Sequence, residues 1–245
     1  MIVALGNMKG GVGKSSMTGM LAKELSKDKK VIMLDLDQQG NVSDWFLTDD
    51  LFKQHDIGDV MNKKVEVEDA IVQVRKNLDI IPCFAIGGEL KNWSETEMTR
   101  VKNPFHKLFK RLHQLGYNYI VCDTSPSMSA LEREIFSAVD EIITVAGAER
   151  FSFEGIESFQ SHLEEIRENL DGNFNNDKLI LNRVNESFGA HKGYMQQLRE
   201  KEGIKLFVVG QSQSIANAQL KRQFLDEYDS KNKWLPVMAQ IGEVI

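Results

Sequence analysis

The stretch Asn7–Ser16 reads NMKGGVGKSS, directly after the apolar run Ile2–Leu5 and before a segment of helical period. A glycine-rich turn between a first strand and a first helix is where backbone N–H groups and a helix N-terminus cradle phosphate oxygens. The usual pattern is G-x-x-x-x-G-K-[ST]. Gly13, Lys14 and Ser15 satisfy its end, but Met8 stands where the first glycine belongs and Lys9 sits inside the loop. Gly10, Gly11 and Gly13 remove side chains where a backbone must wrap closely around an anion. Lys14 is expected to reach the β/γ-phosphates of a nucleotide, the Ser15 hydroxyl to ligate Mg²⁺, and Ser16 to stand near the α-phosphate. The dinucleotide fingerprint fits less well, because a count from Gly11 puts Ser16 where glycine or alanine is required.

Working outward, short apolar runs recur at Ile2–Leu5, Val31–Leu34, Leu78–Ile81, Tyr119–Cys122, Glu141–Val145, Leu179–Leu181 and Leu206–Val209. Each has the composition of a strand buried on both faces. Helical periods fill the gaps at Ser15–Ser26, Pro104–Leu115, Ser129–Val139, Phe153–Asn169, Lys192–Lys201 and Ile215–Tyr228, with Phe105, Leu108, Phe109 and Leu112 on one helical face. Alternating strands and helices predict an α/β fold, a mostly parallel sheet flanked by helices on both faces. The segment Thr48–Lys76 reads as a helical and loop excursion. One domain over residues 1–245 is the simplest account, with no repeat or linker. In such a sheet ligands bind beyond the carboxyl ends of the strands, which is where the loop lies.

The bulk numbers limit what this domain handles. The chain has 245 residues, 42% hydrophobic and 27% charged, with a net charge of −6. That balance excludes a uniformly basic surface and leaves room only for a local cationic face. Cys83 and Cys122 are isolated among apolar residues with no C-x-x-C, so buried free thiols in a reducing cytoplasm are expected rather than a thiol-ligated metal. No run approaches the roughly 18 apolar residues of a membrane span.

Magnesium and a water nucleophile call for carboxylates. Asp123 ends the apolar run in YNYIVCDTSPS, the place of a strand-tip aspartate that holds Mg²⁺; Ser127, rather than Asp123, is the expected cap of the next helix. Asp35 and Asp37 end the second strand in VIMLDLDQQGN. At i, i+2 they point to one side, so one of them is placed to orient water or a metal-bound water.

With these residues in place, the chain resembles the ParA/MinD family of deviant Walker A P-loop ATPases, closest to ParA-type partition ATPases. The family loop K-G-G-x-G-K-[TS]-[TS] is matched by KGGVGKSS, Lys9 to Ser16. The likeness continues in DLDQQGN (Asp35–Asn41), VEVEDAI (Val65–Ile71), LDIIPCFAIGGEL (Leu78–Leu90), YNYIVCDTSPS (Tyr117–Ser127) and ERFSFEGIESF (Glu149–Phe159). It implies ATP and Mg²⁺ as cofactors, bound by Lys9, Gly10, Gly11, Val12, Gly13, Lys14, Ser15 and Ser16, with Asn182 of LNRV at the base. It implies that Lys9 acts on the nucleotide of the opposite subunit in an ATP-dependent sandwich homodimer. Lys14 would act in cis, Asp37 would be the hydrolytic aspartate, and Ser15, Asp37 and Asp123 would serve the metal.

The resemblance further implies a slow ATPase stimulated by a ParB-type centromere-binding partner. The dimer would hold DNA without sequence preference, cytoplasmic and nucleoid-associated. No helix-turn-helix extension is expected before the first strand, so site recognition falls to the partner. Gln38 replaces the family's proline after Asp37, Ser125 replaces a first proline before Pro126, and Val145 and Gly147 replace Pro and Gln. The segment Val209–Ala218 lacks the arginines that relatives use on DNA, so Lys192, Arg199, Lys221 and Arg222 are the expected substitutes. The alternative is a MinD-like or cargo-positioning ATPase. It requires a basic amphipathic C-terminal helix, whereas the lysines of KNKWLPVMAQIGEVI precede the helix, so no membrane contact is expected.

Overall fold

The structure, a computed structural model, describes residues 1–47, 55–84, 88–149, 152–185 and 187–245. The start of the Thr48–Lys76 excursion lies outside the described residues, as do 85–87 and 150–151 within two of the family-like stretches.

Eight strands form one sheet in the order β3-β4-β2-β5-β1-β6-β7-β8. They are β1 (Ile2–Gly6), β2 (Val31–Leu36), β3 (Val72–Arg75), β4 (Leu78–Ile81), β5 (Tyr119–Thr124), β6 (Glu141–Gly147), β7 (Asn175–Val184) and β8 (Lys205–Gly210). All neighbours pair in parallel except β3, which runs antiparallel to β4. The central strands bury both faces, and their residues alternate between two cores as the two-residue period of a strand requires. Ile2, Ala4, Ile32, Leu34 and Ile120 face one layer of helices, whereas Val3, Leu5, Val31, Met33 and Val121 face the other.

The first layer holds α3 (Ile57–Met61), α4 (Leu90–Thr96), α5 (Pro104–Gln114), α6 (Ala130–Ser137) and α7 (Ser152–Leu170). Phe105, Leu108, Phe109 and Leu112 form the buried face of α5, as their spacing predicts. The second layer holds α1 (Lys14–Leu25), α2 (Asn41–Phe46), α10 (Leu225–Tyr228) and α11 (Leu235–Gly242). Helix α8 (Gly189–Glu200) covers β7 and β8 through Met195 and Leu198, and α9 (Gln213–Leu220) follows β8.

Three expectations are corrected. Strand β3 lies inside the excursion read as helix and loop. It is a short, half-polar edge strand, V-Q-V-R, made by a tight turn through Asn77 at φ 61° rather than by an apolar run. The helix expected over Ile215–Tyr228 is two helices, α9 and α10, parted where Arg222 takes a left-handed φ of 53°. The cap of α6 is Ser129, whose hydroxyl accepts from Leu131 N–H while Glu132 reaches back to Ser129 N–H; Ser127 instead donates to Glu132.

Strand β7 is also longer than its apolar centre. Its polar N-terminal half stays in the sheet, and the buried Lys178 ammonium donates to Glu141 of β6 over 3.0 Å.

Candidate functional site

The order of the strands puts a switch point at β1. The chain moves from β1 to β2 on one side, then crosses back over it from β5 to β6. The loop Asn7–Gly13 leaves the carboxyl end of β1 into this crevice. Asn7 anchors it, its amide donating to Val145 C=O over 2.6 Å while its carbonyl oxygen accepts from Lys9 N–H over 2.9 Å. Gly11 and Gly13 turn the chain with φ of 74° and 96°, and Gly13 begins α1. A β-carbon on Gly13 would come within 2.3 Å of the Asn182 amide, which donates to Val12 C=O over 2.9 Å. Asn182 thus braces the loop from β7. Its other head accepts from Arg183 N–H.

The loop, Asp37 and the end of α9 enclose a cavity of about 470 Å³. Gly10, Gly11 and Gly13 line it from the loop, Lys14, Ser15 and Ser16 from α1, and Asp37 and Gln39 from the second strand's exit. A second cavity, of about 380 Å³, adjoins it through Ser16, Arg183 and Gln219, and Asn182 lines this one. The two cavities are therefore contiguous. Gln219 donates to Ser16 Oγ over 2.7 Å, tying α9 to the first turn of α1. Lys14 is buried, and burial lowers its pKa against the opposing pull of Asp123, Asp37 and Glu132.

Asp123 is the penultimate residue of β5, in register with Leu5 of β1 and Asp35 of β2. It is fully buried, and burial pushes its carboxyl up to about 7; Ser15, Lys14 and Thr18 pull it down, whereas Asp37 adds to the rise. Thr18 donates to one oxygen over 3.2 Å, and the other oxygen has no hydrogen-bond partner. A buried, unpaired carboxylate oxygen beside Ser15 fits a divalent cation or its bound water. Among the described residues no three His, Cys, Asp or Glu gather to hold a metal unaided. Mg²⁺ here would depend on Ser15, water and phosphate oxygens.

The two acids at the end of β2 divide their tasks. Asp35 is buried and accepts from both the N–H and the hydroxyl of Ser43, at 2.8 and 2.7 Å. It serves the start of α2, and burial, then the other acids, holds it well above the usual carboxylate range. Asp37 faces the cavity. It closes a turn in which Gly40 N–H donates to Asp37 C=O over 2.9 Å, and Gln39 N–H to its carboxylate over 3.0 Å. Gln38 takes the second place of that turn, a place that also suits the proline of relatives.

Lys9 points elsewhere. It does not line the cavity that its own loop forms; its ammonium pairs with Glu149, both side chains exposed to solvent. The four cations expected on nucleic acid separate into two pairs. Lys192 and Arg199 are exposed on α8 and line one groove of about 510 Å³ with Trp234. Lys221 lies 5.0 Å from the Tyr228 ring centre, and Arg222 donates to Leu47 C=O over 2.7 Å.

A family model described as an AAA domain matches residues 1–177. A ParA family protein of Mycoplasma pneumoniae is 30% identical over 69% of this chain and 66% of its own length. The chain belongs to the ParA/MinD family of P-loop ATPases.

An uncharacterised protein of Borreliella burgdorferi is 32% identical over 99% of this chain and 98% of its own length. The crystal structure of a putative plasmid partition protein from Borrelia burgdorferi B31, bound to AMPPNP, superposes with a TM-score of 0.78. It is 24% identical, over 98% of both chains, and that likeness is one of fold.

Sequence reading missed several groups around the site. Buried Glu132 collects the hydroxyls of Ser125, Ser127 and Ser129 and stands near Lys14; the capping-box spacing Ser129–Glu132 was the available signal. Gln219 and Arg183, which border both cavities, have no local signature, because only the return of β7 and α9 to the loop brings them there.

Proposed function

We propose that this chain is an ATP-hydrolysing DNA partition protein that works as an ATP-dependent sandwich homodimer. The observation that carries the reading is the contrast between two lysines of one loop. Lys14 is buried against the phosphate cradle, whereas Lys9 lies outside its own cavity on Glu149. A solvent-exposed cation outside its own cavity is available to a nucleotide in a second copy, where it would offset charge on the transferred phosphoryl group. Family membership and the AMPPNP complex of the Borrelia partition protein support ATP as the ligand.

Within this reading each group has one task. The loop N–H groups and Lys14 bind and orient the β/γ-phosphates, Ser15 and Asp123 hold the metal, and Asp37 orients the attacking water. Bound Mg²⁺ supplies charge neutralisation on the phosphates. Asn182 reaches the base from its place behind Val12. Turnover is slow until a ParB-type partner stimulates it.

DNA contact falls to Lys192 and Arg199, which share a groove and make no ion pair among the described residues, with Lys221 and Arg222 as a second pair. The test is retention on duplex DNA and on anionic liposomes, with ATP and with ADP, across a salt series. ATP-dependent DNA retention that falls steeply with salt is the expected result. Lys192→Glu with Arg199→Glu should flatten the slope of log affinity against log salt by about 2 for each protomer in contact with DNA. Retention on liposomes and not on DNA would contradict the reading.

A further inference from the structure

Away from the nucleotide crevice, the first helix layer carries a trough of about 330 Å³ between α3, the turn that follows it, and α5. Its floor and walls are Val60, Met61, Val65, Val67, Trp93 and Leu108. Its rim is cationic: Lys63, Lys107 and Arg111 line it, against the single carboxylate Glu66. Arg111 donates to Glu68, whereas Lys63 and Lys107 make no ion pair among the described residues. The cationic character continues along α5, whereas the facing turn carries Glu66, Glu68 and Asp69. Helix α5 reads PFHKLFKRLHQ, and its exposed residues include His106, Lys107, Lys110 and Arg111 with no acid. In a chain of net charge −6 such a helix face is a local reversal of sign.

We propose that this trough is a docking site for an acidic amphipathic helix of a partner protein. The apolar floor takes the partner's aliphatic side chains, and the rim lysines meet carboxylates beside them, the arrangement of helix-in-groove recognition. The trough chemistry selects this occupant over others. A nucleic-acid backbone laid over Val65, Val67 and Trp93 would lose hydration without gaining hydrogen bonds. A membrane surface needs protruding apolar side chains, and the exposed large hydrophobic residues Met1, Leu170, Phe188, Leu220 and Val244 do not line this concave site. A second copy of the chain is a poor occupant, because its acidic helix α7 already buries Ile156, Phe159, Leu163 and Ile166 in its own core.

The experiment titrates the full chain into two labelled synthetic helices, read by fluorescence anisotropy. Both carry leucine along one face; one flanks it with glutamate, the other with lysine. The acidic helix should bind at least about tenfold more tightly, with an affinity that weakens as salt rises. Lys63→Glu with Lys107→Glu should reverse that preference, and Lys107→Arg should preserve it. Both positions are exposed, so the fold does not depend on them. The Trp93 indole NMR signal should move on binding while that of Trp234 stays. Equal binding of the two helices, or no binding of the acidic one, would overturn the proposal. So would an unmoved Trp93 signal, or displacement of the acidic helix by duplex DNA or anionic vesicles.

Discussion

Asp123 of β5 is one fully buried carboxylate, and its protonation has a thermodynamic consequence. A pKa raised to about 7 in the folded state means that the native protein holds a proton the unfolded chain has released. Stability of the nucleotide-free protein is then greatest below the ordinary carboxylate range, falls as pH rises through about 7, and is level above. The loss is on the order of 2–4 kcal/mol. Asp123→Asn removes that ionisation, so it should raise the melting temperature at pH 8 by roughly 4–10 °C and by much less at pH 5. The same variant should lose the stabilisation that Mg²⁺ with nucleotide confers. Thermal unfolding at the two pH values, with and without nucleotide, measures both effects. Asp35 contributes in the same direction, since burial raises its pKa as well.

At the scale of elements, α2 shows how the crevice is fixed from several directions. Asp35 accepts from Ser43 at its start, Ser43 Oγ accepts from Cys83 N–H beyond β4, and Arg222 donates to the Leu47 carbonyl at its end. Trp45, Phe46 and Phe224 stack beneath it, with ring centres 4.3 and 4.2 Å apart. Helix α11 is likewise committed to the domain, with Met238 and Ile241 buried among the residues that face α1. Ile241→Ala should therefore cost about 2–4 kcal/mol in denaturant unfolding. An α11 that was free to enter a membrane would show no such cost.

These elements also mark where sequence reading succeeds. Seven of the strands announce themselves by short, mainly apolar runs, buried on both faces in the central strands and half-buried at the edge strand β8. Strand β3 is half-polar and depends on β4 for its hydrogen bonds, and the α9–α10 break depends on the Arg222 backbone; neither leaves a local trace. Around the site, the loop and the strand-tip acids were legible because chemistry requires those residue types at that spacing. The bracing role of Asn182, the Gln219 contact and the Lys9–Glu149 pair arise between segments well over a hundred residues apart.

For the molecule as a whole, the central claim is that the site is completed by a second copy through Lys9. No helix among the described residues is long and apolar enough to cross a membrane. Asp37→Ala should bind ATP and accumulate as a dimer, because water is no longer oriented for attack. The most direct measurement is ATP turnover together with mass in solution for the wild-type chain, Asp37→Ala and Lys9→Ala. The account predicts an ATP-dependent dimer for Asp37→Ala, and a folded Lys9→Ala that has lost ATP-dependent dimerisation or turnover. A Lys9→Ala protein that dimerises and hydrolyses ATP at the wild-type rate would contradict it.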